Sequence, residues 1–318
     1  MQRIIPIFFA SDDNYLPYLA VTVKSIADHG TDGNIYDIKV LSNGISGENA
    51  DKLLAMELPR VKLEIVDITK EIHNHRGNLR LRLRDYYSES IFYRIFIGSL
   101  YPELDRAIYI DCDVVLVDDI AKLYDAEIGD NILGAVADES IPGVPEFVEY
   151  VDRWVGVPAE MYVNSGVLVM NLKEFRAAKI EKKITEYIAK YNFDTVAPDQ
   201  DYLNFLCKGR ICYLDYTWNK QPKPELATPV SELHLIHYNM VYKPWHYTGV
   251  LYEEEFWRVA DTTPFGEWLH GVLRGYTEQE RVRIIIVTTL PVLNHVHEIL
   301  KEDVVQNIDV VYLKDSAT

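Results

Sequence analysis

The chain has 318 residues, 48% hydrophobic and 25% charged, an ordinary globular composition that excludes a disordered or fibrous protein. Its 32 basic and 49 acidic residues give a net charge of −17, the wrong sign for neutralising phosphates, which argues against nucleic-acid binding and against whole-surface attraction to anionic lipid. Three cysteines cannot build a disulfide framework, and no apolar run reaches the roughly 18 residues that a membrane span needs.

Residues 3–10 read as a short buried strand; the Ser11-Asp12-Asp13 that follows is a poor leader-cleavage site, so the chain reads as a mature cytosolic protein. Asp12 and Asp13 stand where an N-cap belongs, ahead of a helical pattern over residues 14–28. Strands are expected at 38–41 and 61–68, with a helix at 48–58 stopped by Pro59. This alternation argues for a parallel sheet with helices on its faces, an α/β fold. A helix is expected at 88–99 and a buried strand at 107–110. Further strands are expected at 133–137, 166–170, 211–214 and 233–237, with helices at 173–191, 199–207 and 252–274. After residue 276 the pattern restarts, with strand 281–290, helix 292–303 and strand 308–313. The chain therefore divides into a main domain, 1–276, and a strand–helix–strand extension, 277–318.

The most informative segment is Asp111-Cys112-Asp113, at the carboxyl end of the 107–110 strand. Two carboxylates two residues apart can reach one divalent cation, and the carboxyl edge of an open α/β sheet is where ligands bind. The same residues are compatible with plain strand capping. They also resemble the first motif of haloacid-dehalogenase-like phosphatases, although about a hundred residues precede them here and no later Gly-Asp-x-x-x-Asp cluster follows. Asn164-Ser165-Gly166 joins a polar turn to a buried strand, and Asp199-Gln200-Asp201 opens a helix, where acids commonly serve as caps. His237 precedes Lys243-Pro244-Trp245 by a short loop.

In this order, with Phe9-Ala10-Ser11-Asp12-Asp13-Asn14-Tyr15 and Tyr93-Arg94 ahead of them, these six blocks resemble glycosyltransferase family 8 over about residues 4–260. The resemblance implies a GT-A fold, a mixed Rossmann-like sheet flanked by helices. It also implies a retaining hexosyltransferase that uses UDP-glucose or UDP-galactose with a glycan, glycolipid or glycoprotein acceptor. Carried over residue by residue, Asp111, Asp113 and His237 would hold Mn²⁺. Lys243 would contact the diphosphate, Arg94 would lie near sugar and phosphates, and Ala10, Asp12 and Asn14 would line the uridine pocket. Cys112 would lie near the nucleotide, as a buried inert thiol, and Asn164, Asp199 and Gln200 would surround the donor sugar. Gln200 and Asp199 are the catalytic candidates. Gln200 is a weak nucleophile, which favours a front-face route over a covalent intermediate. A non-catalytic sugar-nucleotide or glycan-binding relative is the alternative from another class. The expected location is cytoplasmic, free or peripheral at the inner face of the membrane, with a homo-oligomer allowed. The sequence departs from the family once: relatives carry Gly three residues after the histidine, whereas this chain has Met240, whose side chain must point away from the nucleotide. Arg76, Arg80, Arg82 and Arg84 form the one dense basic cluster, read as a solvated face or an acceptor or membrane contact.

Overall fold

The computed structural model describes residues 2–70, 89–191, 195–240, 242–278, 284–289 and 308–313. The arginine cluster at 76–84 and the helix expected at 292–303 lie outside the described residues.

Seven strands form the central sheet: β1 (Arg3–Ala10), β2 (Asn34–Ser42), β3 (Val61–Asp67), β4 (Arg106–Ile110), β6 (Leu133–Ala137), β7 (Val163–Asn171) and β8 (Ile211–Tyr213). Their order is β3-β2-β1-β4-β7-β6-β8, with every neighbouring pair parallel except the two made by β7. The strand order reverses between β1 and β4, so the crevice at their carboxyl ends is the switch point where ligands bind in open α/β sheets. Apolar side chains on both faces of the parallel strands are buried. Ile5, Ile7, Phe9, Ile108 and Ile110 belong to one core cluster; Phe8, Tyr109 and Leu168 belong to the cluster on the opposite face.

A separate antiparallel ladder joins β5 (Val114–Leu116) to β9 (Leu235–His237), and its register sets Val114 opposite His237. This three-residue pairing brings the histidine to the aspartates across more than a hundred residues of chain. Helix Leu16–His29 secures the aspartate loop from behind: Thr22 Oγ1 donates to Cys112 O (3.0 Å) and Val114 O (2.7 Å), and Leu116 N donates to Ser25 Oγ (3.0 Å). That helix starts at Leu16 rather than at residue 14. Asp12 Oδ1 does accept from Asn14 N (3.0 Å) and Tyr15 N (3.1 Å), but Asp13 Oδ1 accepts from Ser46 N and Asn49 Nδ2 and so ties the loop to helix Gly47–Leu54.

Beyond the start of the first helix, four expected helices differ, and the one at 48–58 runs Gly47–Leu54 and ends at the Ala55 cap, before Pro59 is reached. The segment at 88–99 is a 3₁₀ helix, Glu89–Phe96, running into a short α-helix, Ile97–Leu100. The long helix at 173–191 is two, Leu172–Ala177 and Ile180–Tyr191, separated at Lys179, whose φ is 55°. The buried residues explain the break. Phe175 and Ile180 both face the core, yet five residues of continuous helix would turn them about 140° apart. The helical stretch at 252–274 is likewise split, into Glu253–Ala260 and Gly266–Glu278, with Pro264 between them. Phe256, Val259, Ala260, Phe265 and Leu269 from this pair pack into the same core cluster as β1. Beyond them, β10 (Ile284–Thr289) and β11 (Ile308–Leu313) pair in parallel, at the positions where strands are expected.

Candidate active site

The aspartate loop leaves β4 with its backbone already committed. Asp111 N donates to Gly166 O (2.8 Å), Tyr238 N donates to Asp113 O (2.9 Å), and Cys112 Sγ donates to Ala10 O (3.2 Å). Both carboxylates are divided between two tasks. On Asp111, Oδ1 accepts from Arg94 Nη2 (2.9 Å) and Tyr109 Oη (2.9 Å), while Oδ2 lies 4.0 Å from His237 Nε2. On Asp113, Oδ2 accepts from Lys243 Nζ (2.6 Å), while Oδ1 lies 3.2 Å from His237 Nε2. One oxygen of each is held by a cation of the protein, and the other faces the imidazole.

Asp111, Asp113 and His237 thus offer three ligand atoms, all within 4.8 Å of one another. Donors about 2.2 Å from one octahedral ion lie about 3 Å apart in cis and about 4.4 Å apart in trans, a range that brackets the 3.2 and 4.0 Å found here. The space between them is kept open by Gly166. A Cβ there would stand 2.4 Å from His237 Cε1 and 2.6 Å from Asp111 Oδ2, so no other residue fits without displacing both groups. The residues therefore fit a divalent cation. Burial works to raise the Asp113 carboxyl, but the charges of Lys243 and His237 outweigh it and hold the group well below the usual carboxylate range. Burial alone pushes the Cys112 thiol far up, with both aspartates adding to the effect, which makes it an inert core group.

The Asn164-Ser165-Gly166 triplet owes its geometry to an interruption in the sheet. Ala135 pairs with Leu168 but Ala137 pairs with Val163, so β7 bulges across these residues and their backbone groups turn elsewhere. Ser165 N donates to Gln200 Oε1 (2.9 Å), Ser165 O accepts from Arg94 Nη1, and Gly166 N donates to Asn164 Oδ1 (2.9 Å). Arg94, 3% exposed and stacked on the Tyr109 ring, also meets Asp199 (3.1 Å) and Ile91 O (3.0 Å). Burial disfavours its charge, but Asp111 and Asp199 reverse this and raise its pKa. Asp199 accepts from Ser165 Oγ (3.0 Å); burial raises its carboxyl and Arg94 opposes it, the net direction being upward.

Four more groups join the site that motif reading did not single out. Asp138 follows β6 as Asp111 follows β4, and its Oδ2 accepts from Gln200 Nε2 (3.0 Å) and Asn164 Nδ2 (3.1 Å). That position, an acid at a strand's carboxyl end, is a usable signal in the sequence. Asn219 reaches both Asn164 Oδ1 (3.0 Å) and His237 Nδ1 (2.8 Å), and Gln221 donates to Asp138 Oδ1 (2.9 Å). Buried Lys220 pairs with Glu139 (2.9 Å). The 219–221 stretch carries no periodicity that would have revealed it; it is placed by the bridge of Lys220 to Ile236 of β9. Of the expected residues, the structure brings Arg94, Asp111, Asp113, Asn164, Asp199, Gln200, His237 and Lys243 into one network. Ala10 and Cys112 adjoin it, and Asp12 and Asn14 lie on the loop just after β1. Met240 has φ 61° with its side chain 53% exposed: the backbone takes the turn that glycine favours, and the side chain points to solvent.

Comparisons agree with this architecture. The model of the family described as glycosyl transferase family 8 matches residues 6–249. A putative glycosyltransferase of Haemophilus influenzae is 27% identical over 261 residues, covering 77% of this chain and 74% of its own length. The lipopolysaccharide 1,2-glucosyltransferase of Escherichia coli is 26% identical over 276 residues, covering 81% and 78%. The galactosyltransferase LgtC, solved with donor and acceptor sugar analogues, superposes with a TM-score of 0.69 at 29% identity, over 85% of this chain and all of that one. The fold is that of the GT-A glycosyltransferases, and the match to the family sets aside the phosphatase reading of Asp111-Cys112-Asp113.

Proposed function

The chain belongs to glycosyl transferase family 8, and from that premise we propose that it moves glucose or galactose from a UDP-sugar to a hydroxyl of a glycan, glycolipid or glycoprotein acceptor, with retention of anomeric configuration. The observation that carries the reading is the meeting, at the β1/β4 switch point, of a three-ligand cation site with a buried carboxamide, Gln200, fixed at both ends. Relatives named as a glucosyltransferase and a galactosyltransferase support the hexose class.

Asp111, Asp113 and His237 are the proposed metal ligands, and an imidazole beside two carboxylates favours Mn²⁺ over Mg²⁺. The bound cation would neutralise the diphosphate and stabilise it as leaving group within a chain of net charge −17. Lys243, held between Asp113 Oδ2 and Tyr238 O, supplies a further positive charge for the phosphates. Ala10, Asp12 and Asn14, with Cys112, are proposed to bound the uridine. Arg94 acts mainly as a strut, since its nitrogens bind Asp111, Asp199, Ser165 O and Ile91 O.

Gln200 is a neutral carboxamide that does not titrate, and its carbonyl dipole is pinned by Ser165 N, so it supports positive charge at the anomeric carbon without reorienting. Asp199, held by Arg94 and Ser165, adds its charge, and Asn164 completes the sugar side. In the front-face route the anomeric bond to phosphate breaks, the bond to the acceptor oxygen forms on the same face, and the departing phosphate oxygen takes the acceptor's proton. The test is a panel of UDP-sugars with Mn²⁺, scored for UDP release without acceptor. Release from UDP-glucose or UDP-galactose above the other sugars is expected. Tight binding with no release from any of them would instead mark a non-catalytic nucleotide-sugar-binding relative.

A further inference from the structure

Lys243 is fastened through its side chain and through its backbone. Its Nζ donates to Asp113 Oδ2 (2.6 Å) and Tyr238 O (2.6 Å), and its carbonyl oxygen accepts from His246 N (2.9 Å) and Tyr247 N (3.0 Å). The turn so closed, residues 243–247, lies beyond the end of β9 and belongs to no strand ladder. Aromatic rings hold it instead. Trp245, 1% exposed, stacks on Tyr18, with ring centroids 4.3 Å apart and planes 29° from parallel. His246 stacks on Tyr276 (3.8 Å, 20°), and Tyr247 meets the same tyrosine edge-on at 6.5 Å. Tyr276 stands near the end of helix Gly266–Glu278, which begins beyond the last residue of the family match. Leu269, Val272 and Tyr276 recur at spacings of three and four, so they share one helix face. Leu269 is fully buried in the main core, Val272 packs against that core, and His270 stacks on Trp257 of the preceding helix (4.1 Å, 12°). The core thus fixes the helix, and the helix delivers the Tyr276 ring to the turn. Trp268 of the same helix reaches the other stack, meeting Tyr18 edge-on at 6.1 Å.

We infer that Tyr276 is a positioning residue for Lys243: through His246 and Tyr247 it holds the turn whose amides fix the lysine backbone, and with it the place of the ammonium. A lysine side chain is a flexible stem, so its charge is directed only as well as the backbone beneath it is held. The inference rests on the reading of Lys243 as a contact of the diphosphate. It makes a helix outside the family match part of donor binding.

The test uses the full chain and two readouts: hydrogen exchange of the 243–247 segment without nucleotide, and calorimetric binding of UDP in the presence of Mn²⁺. Tyr276→Ala should speed exchange at the amides of His246 and Tyr247 and weaken UDP binding by about 3- to 10-fold, the scale of one aromatic pair. Tyr276→Phe, which keeps the ring and loses only the hydroxyl, should match the wild type in both. His246→Ala should weaken UDP binding to a similar degree. The double variant Tyr276→Ala/His246→Ala should then bind little worse than the weaker single variant, because the two rings act on the turn as one unit. Unchanged exchange in folded Tyr276→Ala, or fully additive losses in the double variant, would overturn the inference. So would faster exchange with unchanged UDP affinity in a chain whose Lys243→Ala variant does bind UDP more weakly. Faster exchange in a chain that binds no UDP, or whose Lys243→Ala variant binds it as tightly as the wild type, would uphold the hold on the turn and count against the reading of Lys243 instead.

Discussion

At the residue scale, two positions are constrained by space and backbone rather than by charge. Gly166 fits because its missing Cβ leaves room for His237 and Asp111. Gly166→Ala should therefore lower divalent-cation affinity by ~10-fold or more while Tm moves little, a split that calorimetry and a thermal melt read separately. Met240 shows the converse, a side chain on a backbone with φ 61°. Relief of left-handed strain there offsets the added freedom of glycine in the unfolded chain, so Met240→Gly should cost nothing or stabilise slightly. Met240→Val, β-branched in the same conformation, should destabilise by about 1–2 kcal/mol in urea unfolding. Sequence alone exposed Met240 as a departure from the family and placed it outward, because a side chain cannot occupy the close approach that glycine allows. It gave Gly166 only as part of a turn. The contact that constrains it joins β7 and β9 to the loop after β4, and no local pattern encodes such a meeting.

At the scale of elements, helix Pro198–Cys207 is attached to its surroundings through a buried acid. Asp201 accepts from Tyr162 Oη (2.6 Å) and Tyr150 Oη (2.7 Å), and burial, only partly opposed by these phenols, raises its pKa from 3.8 to about 6. A raised carboxyl pKa in the folded state means that its contribution to stability is complete below the unfolded value and is lost as pH rises through about 6. Between pH 5 and 7.5 the wild type should lose roughly 1–1.5 kcal/mol relative to Asp201→Asn, whose side chain does not titrate. Urea unfolding of both proteins at the two pH values checks this; an identical pH dependence would place the group elsewhere. The elements themselves are legible where each buries one continuous face: β1 and the strands expected at 61–68, 133–137 and 308–313 stand close to their expected positions. The misread helices, 173–191 and 252–274, fail where the buried face must be re-phased, at Lys179 and at Pro264. The β5/β9 ladder left half its signal in the sequence. Its β9 strand falls within the strand expected at 233–237, but β5 spans three residues directly after the aspartates and looks like loop.

At the scale of the whole molecule, the core that supports the site runs from β1 to helix Gly266–Glu278, through Phe256, Val259 and Leu269, whereas the family match ends at residue 249. We propose that the β10/β11 unit is an extension outside the catalytic domain. Removing residues 281–318 should then leave Mn²⁺-dependent UDP release within about threefold of the full chain while changing solubility, self-association or acceptor use. Loss of UDP and Mn²⁺ binding in a truncated protein that stays folded would make the tail part of the site. The acidic net charge was legible from composition alone, and so was its consequence, that a diphosphate substrate needs a local cation. What composition withheld was where that cation would sit, since His237 reaches the aspartates only through tertiary pairing.

The proposed function requires that Asp111, Asp113 and His237 together hold a divalent cation on which sugar transfer depends. The direct measurement is UDP release from UDP-glucose and UDP-galactose in chelator, and again after Mn²⁺ is added back. Turnover should be abolished by chelator, restored by Mn²⁺ more fully than by Ca²⁺, and not restored in Asp113→Asn. Full activity in excess chelator, or an Asp113→Asn variant restored to the wild-type rate, would contradict it.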